Sequence, residues 1–377
     1  MSIWKRIRHL RTFSMLTGAV CTSVVLLLGN GCGGGFPPKE LAEARITVNR
    51  RTLEKKLFFE DSSLNLVTDL RIGNFDADLE EEILVLGSNK ACLLKSDGVR
   101  KSCLLYKIDN LLDVRAVDLD GDGTQEWLAG GLWGTPSPAL LNMHGDVLWK
   151  YDAKYKAMGD PGIVDMNNDG TKEIVLYEQS RGLLFFSPAK GLLKELKVSQ
   201  PVAHLKTGDL DGDGLLELVT SGFDGVMTVR KNTGEIVAQK KLPFSYSDFE
   251  LVGSDRQAVS QILVAGEDQL YAFGPDLNPV SKLDAPFARY LHVAAGVRLP
   301  AAGRTTRGES DEYASILNGR GGWHRSVLYV NESSGPLIYQ EILDENFQSI
   351  CQFRSEGSGT SFLVGGRGKV WLYTPHR

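Results

Sequence analysis

The residues able to do chemistry in this sequence fall into one recurring phrase. "DLDGDGTQE" begins at Asp118, "DMNNDGTKE" at Asp165 and "DLDGDGLLE" at Asp209. A weaker form, "NFDADLEEE", begins at Asn74, and a decayed one, "GSDRQAVSQ", at Gly253. Oxygen donors at positions 1, 3 and 5 of a tight loop aim at one centre, and a glycine at position 6 permits a sharp turn. That is the ligand logic of a calcium loop, since Ca2+ takes six to eight hard oxygens in a flexible geometry. A carboxylate at position 9 closes the shell, where a strand follows at once. The expected calcium ligands are Asp118, Asp120, Asp122 and Glu126, then Asp165, Asn167, Asp169 and Glu173, then Asp209, Asp211, Asp213 and Glu217. Asn74, Asp76, Asp78 and Glu82 form a weaker set, because Leu79 replaces the glycine. The fifth copy keeps only Asp255 and is expected to bind nothing. Magnesium fits less well, because the loop offers many ligands in a flexible frame. Asp, Asn and Gly also make ordinary turns, but three full copies of one nine-residue grammar go beyond turn formation.

The phrases begin 44 to 47 residues apart. A period in the forties signals a solenoid or a propeller. Each phrase is followed by an apolar, β-rich run: "ILVLG" from Ile83, "WLAGG" from Trp127, "IVLYE" from Ile174, "LVTSG" from Leu218 and "ILVAG" from Ile262. A second run ending near a turn comes next, as in "GLLFFSPAKG" and "GVMTVRKNTG". Two further units lack the acidic phrase but keep the runs, "YASILNG" with "SVLYVNESSG" and "SFLVGG" with "KVWLYTP". Four short strands per repeat make a β-propeller blade. The fold class expected is all-β, a seven-bladed β-propeller with four-stranded blades, with six or eight blades as alternatives. The last unit lacks a fourth strand, and "RITVNRRTLEKKLFFE" from Arg45 is free to complete it, which would leave no open sheet edge between the termini. The polar stretch 303–312 reads as a solvated loop.

These phrases resemble the FG-GAP/VCBS-type repeats of integrin alpha-subunit propellers and many bacterial surface proteins. The likeness is good over residues 60 to 270 and weak elsewhere. Family loops usually carry aspartate at position 9, where this chain has glutamate, and the FG and GAP flanks are absent. The resemblance implies a calcium-stabilised propeller used for adhesion or ligand binding, and it names no ligand.

Five residues before each loop lies a second pattern: Asp69, Asp113, Asp160, His204 and Asp248, with His292 and Gln348 as the analogues in units six and seven. These positions should circle one mouth of the central channel, opposite the acidic loops. Two residues on lie Arg71, Arg115 and Lys206, which could pair with the acids. The ring reads either as a ligand site or as entry turns and ion pairs. No Ser-His-Asp phrase, nucleotide loop or cysteine-based metal motif is present, so no catalytic residue is assigned.

The N-terminus is a separate object. Lys5, Arg6, Arg8 and Arg11 precede an uncharged apolar run from Phe13 to Leu28, short for a spanning helix. This pattern reads as an export signal. Cys32 in "LLLGNGCGGG" resembles a lipobox acceptor, although Gly29 stands where a leucine is expected. Plain cleavage and a retained anchor helix are the alternatives. The expected organisation is a leader over 1–32, a tether over 33–44 and a propeller over 45–377. The body is then extracytoplasmic, periplasmic or at the cell surface as a membrane-anchored lipoprotein, or secreted. Cys92 and Cys103 flank a turn at Asp97-Gly98 and would face each other in a hydrogen-bonded pair, as a disulfide or as two free thiols. Cys351 has no evident partner. The net charge of −5 argues against nucleic acid. The expected function is a calcium-binding scaffold or adhesion module for protein or glycan partners. The alternative is a polysaccharide lyase or hydrolase that uses the Asp/His ring.

Overall fold

The structure is a computed structural model. It describes residues 39, 41, 46–75, 80–88, 90–106, 113–122, 124–130, 138–151, 157–242, 248–253, 260–299, 311–320, 323–354 and 360–375. The leader, Cys32, Asp76, Asp78, Leu79, Gly123, Asp255 and the stretch 303–310 lie outside the described residues.

Two strands come first, β1 (Ile46–Asn49) and β2 (Leu53–Glu60). Blade one is β3 to β6 (Val67–Gly73, Glu82–Gly87, Lys90–Lys95, Arg100–Leu105). Blade two is β7 to β10 (Asp113–Val117, Glu126–Gly130, Ala139–Leu141, Val147–Lys150). Blade three is β11 to β14 (Ala157–Val164, Glu173–Glu178, Gly182–Ser187, Gly191–Leu196). Blade four is β15 to β18 (His204–Gly208, Glu217–Ser221, Val226–Arg230, Ile236–Lys241). Blade five is β19 to β22 (Phe249–Val252, Gln261–Ala265, Gln269–Phe273, Pro279–Asp284). Blade six is β23 to β26 (Leu291–Leu299, Glu312–Gly319, Ser326–Glu332, Leu337–Ile342), and β27 to β29 (Ser349–Arg354, Thr360–Gly365, Lys369–Pro375) begin blade seven. The seven sheets are antiparallel meanders, and the first strands pack on those of neighbouring blades around the centre.

Sequence composition explains the layering. Second and third strands lie between neighbouring blades on both faces, so β4, β12, β13 and β16 are buried along their whole length and carry consecutive apolar residues at their centres. Outer strands reach the rim and carry mostly exposed positions, as in β18. Each blade junction has its own apolar cluster. Val175, Phe185, Leu205 and Leu218 join blades three and four, and Phe59, Val67, Leu363 and Val370 join blade seven back to blade one. Burial of a large side chain stabilises by about 1.5–3 kcal/mol, and the closing junction has buried residues of this kind as the others do.

The N-terminal segment does two jobs where the sequence suggested one. β2 pairs with β29 and completes blade seven, as expected. β1 instead pairs with β26 and gives blade six a fifth strand. Lys55 clasps the two blades together. Its Nζ lies 2.7 Å from Glu341 Oε1 on β26 and 4.9 Å from the ring centre of Trp371 on β29. Tyr339 and Tyr373 donate to the other oxygen of Glu341 at 3.0 and 2.9 Å. Burial and the neighbouring carboxylate push both phenols above their ordinary range.

The cysteine hairpin differs in phase from the simple turn. Lys95 closes on Val99 over a three-residue loop, with Gly98 left-handed at φ 87°. A bulge between Leu93 and Leu94 restores the Cys92–Cys103 register. The pair therefore sits at a Cα–Cα distance of 4.1 Å, the close spacing of a non-hydrogen-bonded pair, and the cysteines are joined. Cys351 is free and buried. Among the described residues no helix is long and apolar enough to cross a membrane.

Candidate functional site

The acidic loops connect the first and second strands of blades one to four. Their backbone needs left-handed residues at two places. Position 4 is Gly121 (φ 77°), Asn168 (φ 58°) and Gly212 (φ 85°), and position 6 is Gly170 and Gly214, both at φ 88°. Only glycine and, less readily, asparagine adopt this region at low cost. This curl turns successive N–H groups inward. Gly121 N donates to Asp118 at 2.7 Å, Gly170 N to Asp165 at 2.7 Å, and Gly212 and Gly214 N to Asp209 at 2.6 and 3.0 Å. Thr124, Thr171 and Leu215 N donate to the position 5 aspartates, Asp122, Asp169 and Asp213, at 2.6–2.8 Å. Asn167 sits between, with Nδ2 2.9 Å from Asp169 Oδ2.

The aspartates converge. Ligand oxygens of Asp118, Asp120 and Asp122 lie within 4.8 Å of one another, as do those of Asp209, Asp211 and Glu217. Such a set can hold a hard cation and repels itself without one.

The position 9 glutamates share a contact that sequence reasoning missed. Glu82, Glu126, Glu173 and Glu217 each accept the N–H of loop position 2, from Phe75, Leu119, Met166 and Leu210, at 2.8–2.9 Å. The fixed seven-residue separation was the available signal. Each glutamate opens the second strand and reaches back to pin the loop's entry, which accounts for the longer side chain. Burial first, then the nearby aspartates, raise the carboxyls of Glu126, Glu173 and Glu217 above the usual carboxylate range. Glu82 also meets Lys101 Nζ at 2.8 Å, so a protein cation already balances it. Asn74 is described, but Asp76 and Asp78 are not.

Neighbouring loops are chained together. Lys172 donates its N–H to Leu119 O at 2.9 Å and its Nζ to Asp118 O at 2.5 Å. Asn232 of blade four reaches Asp165 O and Asn168 Oδ1, both at 2.6 Å. Ser260 N, in the decayed fifth loop, donates to Asp209 O at 2.6 Å.

The second candidate set lies in or beside the first half of the inner strands, opposite these loops: Asp113 and His204 open β7 and β15 as expected, whereas Asp69 and Asp160 are the third and fourth residues of β3 and β11. His204 Nε2 pairs with Asp248 Oδ1 across blades four and five. His292, second in β23, and Arg320 both act electrostatically on Asp248. Three ring members are thus brought together with an arginine that the spacing did not reveal. Asp69 lies elsewhere and is engaged structurally: Arg71 Nε donates to it at 3.1 Å and Ala116 N of the next blade at 3.3 Å. Asp113 pairs in register with Gly130 and Asp160 lies in β11; their side chains fall outside the described residues. Gln348 donates its N–H to Gly365 O. Lys206 pairs with Glu250 at 2.7 Å, not with Asp248. Glu250 was missed, although it stands two residues after Asp248, as Arg71 does after Asp69.

No family model matches this chain, and no curated protein matches it. Solved structures similar to it include BBS1N in complex with ARL6DN (14% identity, 89% of this chain and 98% of that chain, TM-score 0.56). The Pan2 WD40 domain of Neurospora crassa is similar over 89% of this chain and 98% of that one, at 12% identity and TM-score 0.52. Raptor of Chaetomium thermophilum is similar over 90% of this chain and 30% of that one, at 11% identity and TM-score 0.55. The likeness is one of fold. It agrees with the β-propeller that the resemblance to FG-GAP/VCBS-type repeats implied.

Enclosure between blades lowers the affinity of His292 for its proton, with Arg320 and His204 acting in the same direction and Asp248 against it. A histidine lowered by folding contributes stability that is complete above its unfolded pKa of about 6.5 and is lost as pH falls through that value toward the folded one. Asp248 is also lowered, its burial outweighed by His204 and the neighbouring cations, so its contribution is lost only at lower pH. The three raised loop glutamates act with opposite sign, so the informative quantity is a difference between variants. Between pH 7.5 and 5.5 the parent should lose more melting temperature than His292→Asn; equal losses would remove His292 from the account.

Proposed function

We propose that this protein is an extracytoplasmic, calcium-braced β-propeller that serves as a binding scaffold for protein or glycan partners. The observation that carries the calcium reading is the convergence of loop oxygens at Asp118, Asp120 and Asp122 and at Asp209, Asp211 and Glu217, beside glutamates whose carboxyls burial raises. All donors are oxygen, and the enclosure of Glu173 and Glu217, which are buried, and of Glu126, which is half-buried, is offset most directly by a cation. Asp118, Asp120, Asp122 and Glu126 would hold one ion, Asp165, Asn167, Asp169 and Glu173 a second, and Asp209, Asp211, Asp213 and Glu217 a third. Blade one already has Lys101 against Glu82, which weakens the case for an ion there. The ion would brace the loops and take no part in a reaction.

The scaffold reading is supported by a closed ring whose first strands carry converging polar residues at one end. BBS1N, similar in fold, was crystallised in complex with ARL6DN, which makes a protein partner the reading favoured here. Export is supported by the basic-then-apolar leader and by the Cys92–Cys103 disulfide, a bond that persists in oxidising compartments. Cys32 is the proposed site of lipid attachment to the membrane. A second reading, a polysaccharide lyase or hydrolase, is favoured by one observation: His204, Asp248 and His292 gather at the channel mouth.

Calcium at a hundredfold excess over its Kd should stabilise by about 2.7 kcal/mol per site. Chelation should therefore lower the melting temperature by several degrees, and Glu217→Gln should shrink that response; an unchanged melting curve would end the calcium reading. Export with lipid attachment predicts that Cys32→Ser moves the protein from the membrane fraction to the soluble extracytoplasmic fraction, and retention in the membrane would count against it. The enzyme reading requires turnover on a panel of acidic and neutral polysaccharides that disappears in His204→Ala while calcium-dependent melting persists; a parent without turnover leaves the scaffold.

A further inference from the structure

The outer strands share one irregularity. In blade four Arg230 pairs with Ile236 and Val229 with Ala238, so Val237 is bulged out of register. Leu148, Leu193 and Val280 are bulged at the same point of β10, β14 and β22. In blade six the bulged residue is Ile338, between the pairs Asn331–Leu337 and Val330–Tyr339. A bulge on an outer strand usually turns the edge away from pairing.

Blade six shows that this bulged edge can accept a strand. β1 runs antiparallel along β26, and Ile338 O takes the N–H groups of Arg50 and Arg51 at 2.8 and 3.3 Å. Under β1 the strand is buried throughout, with Leu337 and Ile338 at 6% and 8% exposure. The same positions of blade four, Ile236 and Val237, are 49% and 45% exposed, and β18 is the last strand of its sheet. The fold thus contains one filled and several open copies of the same edge.

Charge indicates what would fill an open one. The outer strands of blades one to five carry seven basic residues and two acidic ones, in a chain whose net charge is −5. Lysines on an edge strand can also serve to repel pairing. Two of these are folded back instead: Lys194 Nζ donates to Thr233 O and Lys240 Nζ to Leu277 O, on the adjacent blade in each case. Blade four combines the exposed apolar pair at one end of β18 with Lys240 and Lys241 at the other.

We propose that the outer edge of blade four takes an extended acidic–apolar segment of a partner protein as an added antiparallel strand, as β26 takes β1. The segment would set acids in its N-terminal half opposite Lys240 and Lys241, and apolar residues in its C-terminal half opposite Ile236 and Val237. Main-chain hydrogen bonds supply affinity in this mode, and the side chains supply selectivity. The proposal rests on the scaffold reading and adds the surface and the class of segment.

The test uses the full chain and a synthetic peptide with the β1 sequence ITVN preceded by two glutamates. Hydrogen exchange over Ile236–Lys241 should slow several-fold on saturation and recover at high salt. Val237→Asp, at an exposed site that leaves folding intact, should abolish the protection. The double variant Lys240→Glu with Lys241→Glu should lose the acidic peptide and gain one preceded by two arginines. No protection of β18, or protection indifferent to the charge reversal, would overturn the proposal. A protein partner found to bind at the channel mouth would overturn it as well and leave the scaffold reading standing.

Discussion

Each blade is a small sheet with two apolar faces, and neither face can be left to water. A single blade has nothing of its own to cover them, so every blade depends on its neighbours for burial. Seven junctions, each with its own apolar cluster, satisfy this only if the row closes on itself. Closure is therefore the central constraint. It explains why the N-terminal segment travels to the far end of the chain, and why Lys55 joins blades six and seven through Glu341, Trp371 and Tyr373. The charge of Lys55 is satisfied at a seam where three stretches of chain meet.

With the ring closed, the ends of the inner strands are fixed in space, and the two ends do different work. At one end the acidic loops are braced by glutamates that open the second strands and hold the loop's entry N–H. The same reach explains the departure from the aspartate usual in the resembling family. One oxygen of the glutamate is engaged by the backbone, and the longer side chain brings the carboxylate back across the loop. At the other end the residues are fewer and more varied. His204, Asp248 and His292 meet because they hold the same repeat position in the consecutive blades four, five and six.

Much of the fold was legible in the sequence because a repeat writes the same constraint several times. The 44- to 47-residue spacing gave the blades, and the missing fourth strand of the last one gave the closure through β2. What stayed hidden was set by backbone pairing. The segment Ile46–Asn49 has no periodicity that selects β26 as its neighbour. The cysteine hairpin returned to the expected register only because a three-residue loop and a bulge compensate each other. At the channel mouth, the pairing of Lys206 with Glu250 rather than Asp248 follows from the alternation along β15 and β19, which sets the two side chains level across a blade boundary.

The bulged outer strands connect these themes. An exposed sheet edge invites unwanted pairing, and this fold answers it in two ways: with a permanent fifth strand on blade six, and with bulges on the outer strands of the other blades, lysines among them. The first answer shows that the second is incomplete, because β26 carries the same bulge as the open edges and is nevertheless paired. A bulge displaces one carbonyl and leaves it able to accept, as Ile338 does for two consecutive N–H groups. Edges of this kind resist a flat strand from an arbitrary neighbour yet admit one that follows the twist. Selectivity then falls to the flanking charges, which differ from blade to blade even though the backbone device is the same.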